Sequence, residues 1–171
     1  PEFYVYGLLS GEPTTYEAYC WQGETLMTSD WMIWTWTPVW ERIYRFNTVL
    51  EYLDEVVQTT AAVHDQVEGE ARFGRAYYHF MLLTPYCLWV EDKPGIGYRD
   101  NAKAGEIPGR ETVGYTLEHI YEDLRLAEEA LTRAGRTTFD QTRNFRPTVP
   151  TVQAFRARVA LYRGNYELAL A

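Results

Sequence analysis

The sequence predicts an all-α protein, on three observations. Apolar residues recur at steps of four and three, the spacing of one helix face. No stretch of comparable length alternates with period two, as a half-buried strand would. Capping residues and stretches rich in Gly and Pro fall between the apolar runs. The first run is Val39, Ile43, Phe46, Leu50, Leu53 and Val57. The second is Val67, Ala71, Gly74, Tyr78 and Met81, turning almost wholly apolar from Ala76. Asp65 with Glu68 three residues on reads as a capping box opening that helix, and its acids precede Arg72 and Arg75 as the helix dipole prefers. The third run is Val113, Leu117, Ile120, Leu124, Ala127 and Leu131, with Gly135 placed as its C-cap. The fourth, Val152, Phe155, Val159 and Tyr162, has Pro150 in its first turn. Two irregular connections separate these helices. One runs from Glu91 to Arg110 and carries six Gly and Pro residues, a length that is often functional inside a helical domain. The other, from Arg136 to Val149, is a polar linker.

Length and charge narrow the function class. The chain has 171 residues, 24 acidic against 16 basic, for a formal charge of -8, with 46% hydrophobic and 16% aromatic residues. That content supports a folded core and excludes a disordered chain. An acidic chain lacks the basic stripe that displaces phosphate counterions, so no nucleic-acid partner is expected. No apolar run approaches the ~18 residues of a membrane-spanning helix. Cys20 and Cys87 fit no metal or redox spacing; a disulfide between them stays open, and two separate buried thiols are the expected state. The chain opens at Pro1 with no basic and apolar leader, so it reads as a mature or cut segment.

The residues of an active site are not assembled. Ser10 and Ser29 sit in no Gly-x-Ser-x-Gly elbow, and none of His64, His79 and His119 belongs to a His-Glu-x-x-His or Glu-x-x-His pattern. Neither Lys93 nor Lys103 follows phosphate-loop glycines. His79, on a nearly all-apolar helix, reads as a satisfied packing histidine. Arg75 reads as structural, its stem on aromatics and its guanidinium on backbone or carboxylate. Glu122-Asp123 and Glu128-Glu129 read as a solvated helix face with Glu129–Arg133 support. No catalytic residue, metal site or cofactor is expected.

From Leu161 to Ala171 the chain is similar to a tetratricopeptide hairpin. Gly164-Asn165 makes the turn, Tyr166 is placed to pack back, and an Ala-rich second helix has only begun when the sequence stops. The chain therefore reads as a fragment ending within a repeat. Four blocks in order then resemble one family. They are Trp36-x-x-x-Trp40-x-x-Ile43-Tyr44-Arg45-x-Asn47, Gly69-Glu70-Ala71-Arg72-Phe73-Gly74-Arg75-Ala76 with the following aromatics, Gly109-Arg110-Glu111-Thr112-Val113 leading to Ile120-Tyr121-Glu122-Asp123-Leu124, and Ala157-Arg158-Val159-Ala160-Leu161-Tyr162-Arg163-Gly164-Asn165-Tyr166. The chain resembles the N-terminal portion of SusD/RagB proteins, the surface glycan-binding lipoproteins of Bacteroidetes nutrient-uptake systems. Two features depart from the pattern: Cys87 stands where Gly normally follows the tyrosine, here Tyr86, and the lipidated cysteine is missing.

The resemblance implies an α-α superhelix of tetratricopeptide-like hairpins with long loops. Residues 1–36 would form an aromatic loop region, 37–88 a first helical hairpin, 89–111 a loop, and 112–171 a second helical pair with the start of a further helix. It implies non-enzymatic capture of oligosaccharides at the outer cell surface, handed to a SusC-like TonB-dependent transporter. Membrane attachment would come only through the missing lipid anchor.

Tryptophan is the chemistry that stands out. Five of six lie between Trp21 and Trp40, and the sixth is Trp89. Sugars stack their C–H faces on aromatic rings and bond their hydroxyls to carboxylates, amides and guanidinium groups. Trp21-Gln22-Gly23-Glu24 and Asp30-Trp31 supply that mixture in an expected loop, and the family places a stacking Trp in the loop ahead of the Asn47 helix. The candidate contacts are Trp21 for stacking, Gln22 and Glu24 for hydroxyls, and Asp30 and Trp31 extending the site, with Trp89 as a further aromatic. Ordinary packing remains open for Trp21 and Trp31, and for Trp89 it means closing the end of the second helix. Trp36 and Trp40 continue into Ile43 and are expected in the core, as is Trp34. A helical scaffold that binds a partner protein and no sugar, and an all-α glycoside hydrolase, are the alternatives.

Overall fold

The computed structural model describes residues 30–55, 60–103, 105 and 109–170, with side chains from Trp36 onward. Five α-helices follow in order: α1 Asp30–Tyr52, α2 Ala61–Tyr86, α3 Val113–Arg133, α4 Val149–Arg163 and α5 Tyr166–Leu170. Short 3₁₀ turns occupy Leu53–Glu55 and Gln141–Arg143. No strand occurs among the described residues, where a single antiparallel bridge joins Pro94 to Thr112. The protein is all-α. It divides into two compact units, Pro1–Trp40 and Glu41–Ala171.

In the first unit α1 begins at Asp30, so Asp30 and Trp31 open a helix where the sequence predicted a loop. Trp36 and Trp40 meet edge to face, centroids 5.6 Å apart. Trp36 is 39% exposed, so the expectation of a core position fails there: the residue follows the apolar spacing, but its ring faces partly outward.

The second unit is organised around α3. Its predicted run is buried throughout, Val113, Leu117, Ile120, Leu124, Ala127 and Leu131 each being at most 1% exposed. Each large aliphatic side chain so enclosed contributes ~1.5–3 kcal/mol. On one side of α3 lies α2, whose Gly69 lets the helices approach until a Cβ there would stand 2.6 Å from Leu131 Cγ. On another lies α4, which buries Val152, Phe155 and Val159. Phe155, Phe73, Tyr77 and Phe80 form an aromatic cluster with centroids 5.2–5.6 Å from Phe155. Phe46 of α1 lies over Gly74 of α2 and stacks on Tyr78 at 5.8 Å. Met81, at the end of the predicted second run, is exposed, because Leu82 and Leu83 take the buried positions in the last turns of α2.

Helix α2 starts one turn earlier than the capping-box pattern predicted. Thr60 is its N-cap and accepts from Val63 N–H, so Asp65 and Glu68 already lie inside the helix. Their carboxylates pair with Arg133 of α3 at 3.0 and 2.8 Å, which also displaces the expected Glu129–Arg133 pair. Glu129 pairs with Arg125 instead. The other caps agree with the sequence. Gly135 (φ 71°) accommodates the left-handed turn after α3, with Arg136 N–H donating to Leu131 O. Gly164 (φ 75°) closes α4, and Asn165 Oδ1 caps α5 by accepting from Leu168 N–H at 3.0 Å. Tyr166 does not pack back: it is 68% exposed.

The described residues between 87 and 112 (87–103, 105 and 109–112) form a strap over the helices. At its base Gly95 N–H donates to Glu111 O at 2.7 Å and Val113 N–H to Lys93 O at 2.9 Å. The fit leaves no room for a side chain, since a Cβ on Gly95 would stand 2.9 Å from Thr112 C, Thr112 O and Val113 N. Those are backbone atoms, which cannot rotate aside. Gly95→Ala is therefore expected to cost about 1–3 kcal/mol, read by urea denaturation, although alanine would lower the entropy of the unfolded chain. An unchanged midpoint would mean that the strap base can shift freely.

Candidate functional site

The strap has almost no secondary structure to absorb its backbone polar groups, so side chains of the helices do so. Asn47 of α1 donates through Nδ2 to the carbonyls of Arg99 (3.0 Å) and Asn101 (2.9 Å). Arg75 of α2 donates through Nη1 to Asn47 Oδ1 (3.0 Å) and to the Asp100 carbonyl (3.3 Å). His79, one turn on, accepts from Arg99 N–H through Nε2 at 3.1 Å, while its Nδ1 meets Arg75 O at 2.9 Å. From α3, Thr116 Oγ1 donates to Ile96 O at 2.8 Å.

The charge at the centre of this knot is answered by Asp123. Arg75 Nε and Nη2 donate to its two oxygens, each at 2.6 Å, in a bidentate pair. The Tyr98 hydroxyl donates to the same carboxylate, and Arg72 Nη1 stands 3.6 Å away. Asp123 is 3% exposed, so its assignment to a solvated face is corrected, while Glu122 beside it is exposed as expected. Adjacent residues on a helix point about 100° apart. Asp123 follows Thr116 and Ile120 at the 4-3 spacing of the buried stripe. Burial alone lowers the Arg75 pKa, but the hydrogen bonds and charge of Asp123 outweigh it and hold the guanidinium above its usual value. Burial, then the nearby Asp123 charge, pushes the Tyr98 hydroxyl well above the ordinary phenol range. For His79, burial dominates and lowers its pKa to about 3. Arg75 and His79 thus fill the structural roles predicted for them.

Outside the knot, the strap and the start of α3 frame a pocket of about 190 Å³ lined by Tyr98, Arg99, Asp100, Asn101, Gly109, Glu111 and Tyr115. Sequence reasoning missed this pocket. Its walls come from the middle of the Glu91–Arg110 connection, residues 98–101, and from Gly109, Glu111 and Tyr115 leading into α3, and only the polar Tyr98–Asn101 stretch hinted at it.

The predicted site residues distribute otherwise. Trp21, Gln22 and Glu24 lie outside the described residues, and Asp30 and Trp31 occupy the first turn of α1. Trp89 follows the C-terminus of α2, with its ring 5.7 Å from Phe80 and 5.1 Å from Tyr162, and it does not line the strap pocket. Its Nε1 is buried without a hydrogen-bond partner. Cys87 is a free thiol, raised in pKa mainly by burial, and Cys20 lies outside the described residues. Among the described residues no His, Cys, Asp and Glu cluster could hold a metal, and no helix is long and apolar enough to cross a membrane.

Solved structures share the architecture. A SusD superfamily protein from Bacteroides thetaiotaomicron VPI-5482 aligns with a TM-score of 0.69 and 19% identity over 78% of this chain and 29% of its own. A SusD-like protein from Bacteroides fragilis NCTC 9343 gives 0.63 and 22%, over 80% and 25%. A SusD superfamily protein from Bacteroides vulgatus ATCC 8482 gives 0.63 and 20%, over 79% and 30%. The chain thus spans less than a third of each of these proteins. Among curated proteins no relative matches it. Residues 10–161 match a SusD-like family model described as starch-binding and associating with the outer membrane, and on that match the chain belongs to the SusD-like family.

Proposed function

We propose that this chain captures extracellular oligosaccharides at the outer membrane and does so without catalysis. In this reading it serves a longer, surface-exposed, lipid-anchored protein that delivers its glycan to a SusC-like TonB-dependent transporter. The observation that carries it is the family match over residues 10–161, with a family description of starch binding and outer-membrane association. The chemistry of the second unit agrees with it. Arg75 and Asp123, the ion pair that could otherwise serve acid–base or electrostatic work, are both spent on each other and on the strap. The proposed first contact with glycan is the Trp21, Gln22 and Glu24 segment, continued by Asp30 and Trp31. Trp89, held against Phe80 and Tyr162, is a further proposed aromatic contact, within the second unit.

Two or three aromatic stacks at ~0.5–1.5 kcal/mol each, set against the cost of association, give millimolar to high-micromolar affinity. Affinity electrophoresis through gels containing starch and a panel of other soluble polysaccharides tests this. We expect retardation of the chain by at least one glycan, reduced in a folded Trp21→Ala variant. Migration unchanged by every polysaccharide would overturn capture by this chain, and release of reducing sugar would overturn its non-catalytic character.

A further inference from the structure

Tyr115 belongs to a stack of rings that runs outward from the core. His79 lies parallel to Tyr98 at 4.0 Å, Tyr98 meets His119 at 4.9 Å, and His119 meets Tyr115 at 4.2 Å. His79 is fully buried and Tyr115, at the outer end, is 41% exposed. The outer ring is therefore braced from behind, and His119 Nδ1 lies 2.9 Å from the Tyr115 carbonyl, one turn away. A ligand stacking on Tyr115 would not have to order it first.

The pocket beside this ring offers what hydroxyl groups need. Asp100, Asn101 and Glu111 supply carboxylate and amide groups, and Arg99 supplies a guanidinium that lies over the Tyr44 ring and donates through Nη2 to Lys103 O, while its buried Nε has no partner. The Glu111 carboxylate and the Tyr115 hydroxyl bond to no other described residue, so both are available. Asn101 Oδ1 is occupied in holding Lys103 N–H at 3.0 Å, which leaves its amide facing Asp100 Oδ1 at 3.3 Å. At about 190 Å³ the space is below the ~300–1,000 Å³ of a site for a drug-sized ligand. It suits a single ring with hydroxyls on its rim. With two carboxylates on the wall, that ring should be neutral or a hydroxyl donor and not an anion.

We infer that the strap pocket is a saccharide subsite that takes one neutral pyranose unit, stacked on Tyr115 and bonded through its hydroxyls to Glu111, Asp100 and Arg99. This rests on the capture reading and adds a position to it, separate in sequence from the Trp21 segment. The Arg75–Asp123 knot sets its geometry by fixing the Arg99, Asp100 and Asn101 backbone.

The test is an amide ¹H–¹⁵N titration of the full 171-residue chain with maltotriose to about 20 mM, above a millimolar Kd. Shift changes at Asp100, Asn101, Gly109 and Tyr115 that saturate, and that survive Trp21→Ala, are the expected result. Tyr115→Ala should weaken the binding read at those amides about 10-fold. Glu111→Gln should weaken it about 3- to 5-fold, and because Glu111 is exposed and unpartnered this variant keeps its fold. Saturable shifts elsewhere with none at these four amides would overturn the pocket and leave capture standing. A spectrum that maltotriose does not move at any residue would overturn the pocket as a maltosaccharide subsite, and capture itself would then be judged by the polysaccharide gels. Equal affinity in Glu111→Gln and Tyr115→Ala would also overturn the subsite.

Discussion

Asp123→Ala is expected to destabilise the protein by about 3–5 kcal/mol and to lower its Tm by roughly 10 °C or more. The substitution leaves the Arg75 guanidinium, which is 7% exposed, without the carboxylate that receives two of its hydrogen bonds. It also strands the Tyr98 hydroxyl. An exposed ion pair such as Arg125–Glu122, half in solvent on both sides, would cost far less when broken. The difference between the two sites is desolvation: water can replace the lost partner at Arg125 but cannot easily reach Arg75.

Replacing both charges, as in Arg75→Met with Asp123→Leu, often restores stability where a buried pair is isolated. Here it should not restore it fully. Arg75 also serves Asn47 Oδ1 and the Asp100 carbonyl, and those acceptors would remain unpaired at ~1–3 kcal/mol each. A double-mutant cycle by urea denaturation separates the terms, and hydrogen exchange at the Arg99 amide reports whether the strap has lifted. An Asp123→Ala protein within about 1 kcal/mol of wild type would show that the knot does not hold the strap.

The helices were legible because their faces obey a period. The six residues from Val113 to Leu131 that share a 4-3 spacing share a buried face, and Gly135, Pro150 and Gly164 sit at the boundaries their backbone chemistry favours. The misread positions are those where a local pattern has two physical causes. An acid followed three residues later by Glu fits a capping box, but it fits equally the face of a helix already under way, and Asp65 and Glu68 use that face to reach Arg133. Asp123 sits beside Glu122 in the chain and shares its charge, yet its helical phase matches Ile120 and Thr116. The strap was visible only as a long Gly- and Pro-rich connection. Its attachments join Asn47 to Arg99 and Asn101, 52 and 54 residues apart, and side chains that bond to irregular backbone leave no periodic trace. The pocket inherits that invisibility, since it exists only where the middle of the strap is tied beside the start of α3.

Acid should loosen the same strap through His79. Its folded pKa is about 3, against 6.5 for the free side chain, with burial the main cause. The Arg75 and His119 charges add to the depression and the Asp100 charge opposes it. The geometry agrees: Nδ1 donates to the Arg75 carbonyl and Nε2 must accept from Arg99 N–H, so the ring is neutral, and a second proton would face one N–H with another. A depressed folded pKa means that the unfolded chain binds the proton first. The stabilisation from neutral His79 is therefore fully present above about pH 6.5 and lost as pH falls toward 3, at a slope approaching 1.4 kcal/mol per pH unit. By pH 4 the loss should reach about 3 kcal/mol. Carboxylates as a class titrate in the same range, so the comparison is with His79→Gln, whose amide oxygen can accept from Arg99 N–H without titrating. That variant should be less stable than wild type at pH 7.5 by about 1–2 kcal/mol, since the ring also stacks on Tyr98, and the gap should close or reverse by pH 4.5. Parallel stability curves for the two proteins from pH 7.5 to 4 would show that His79 takes up its proton in the folded state, and that the Arg99 N–H does not depend on it.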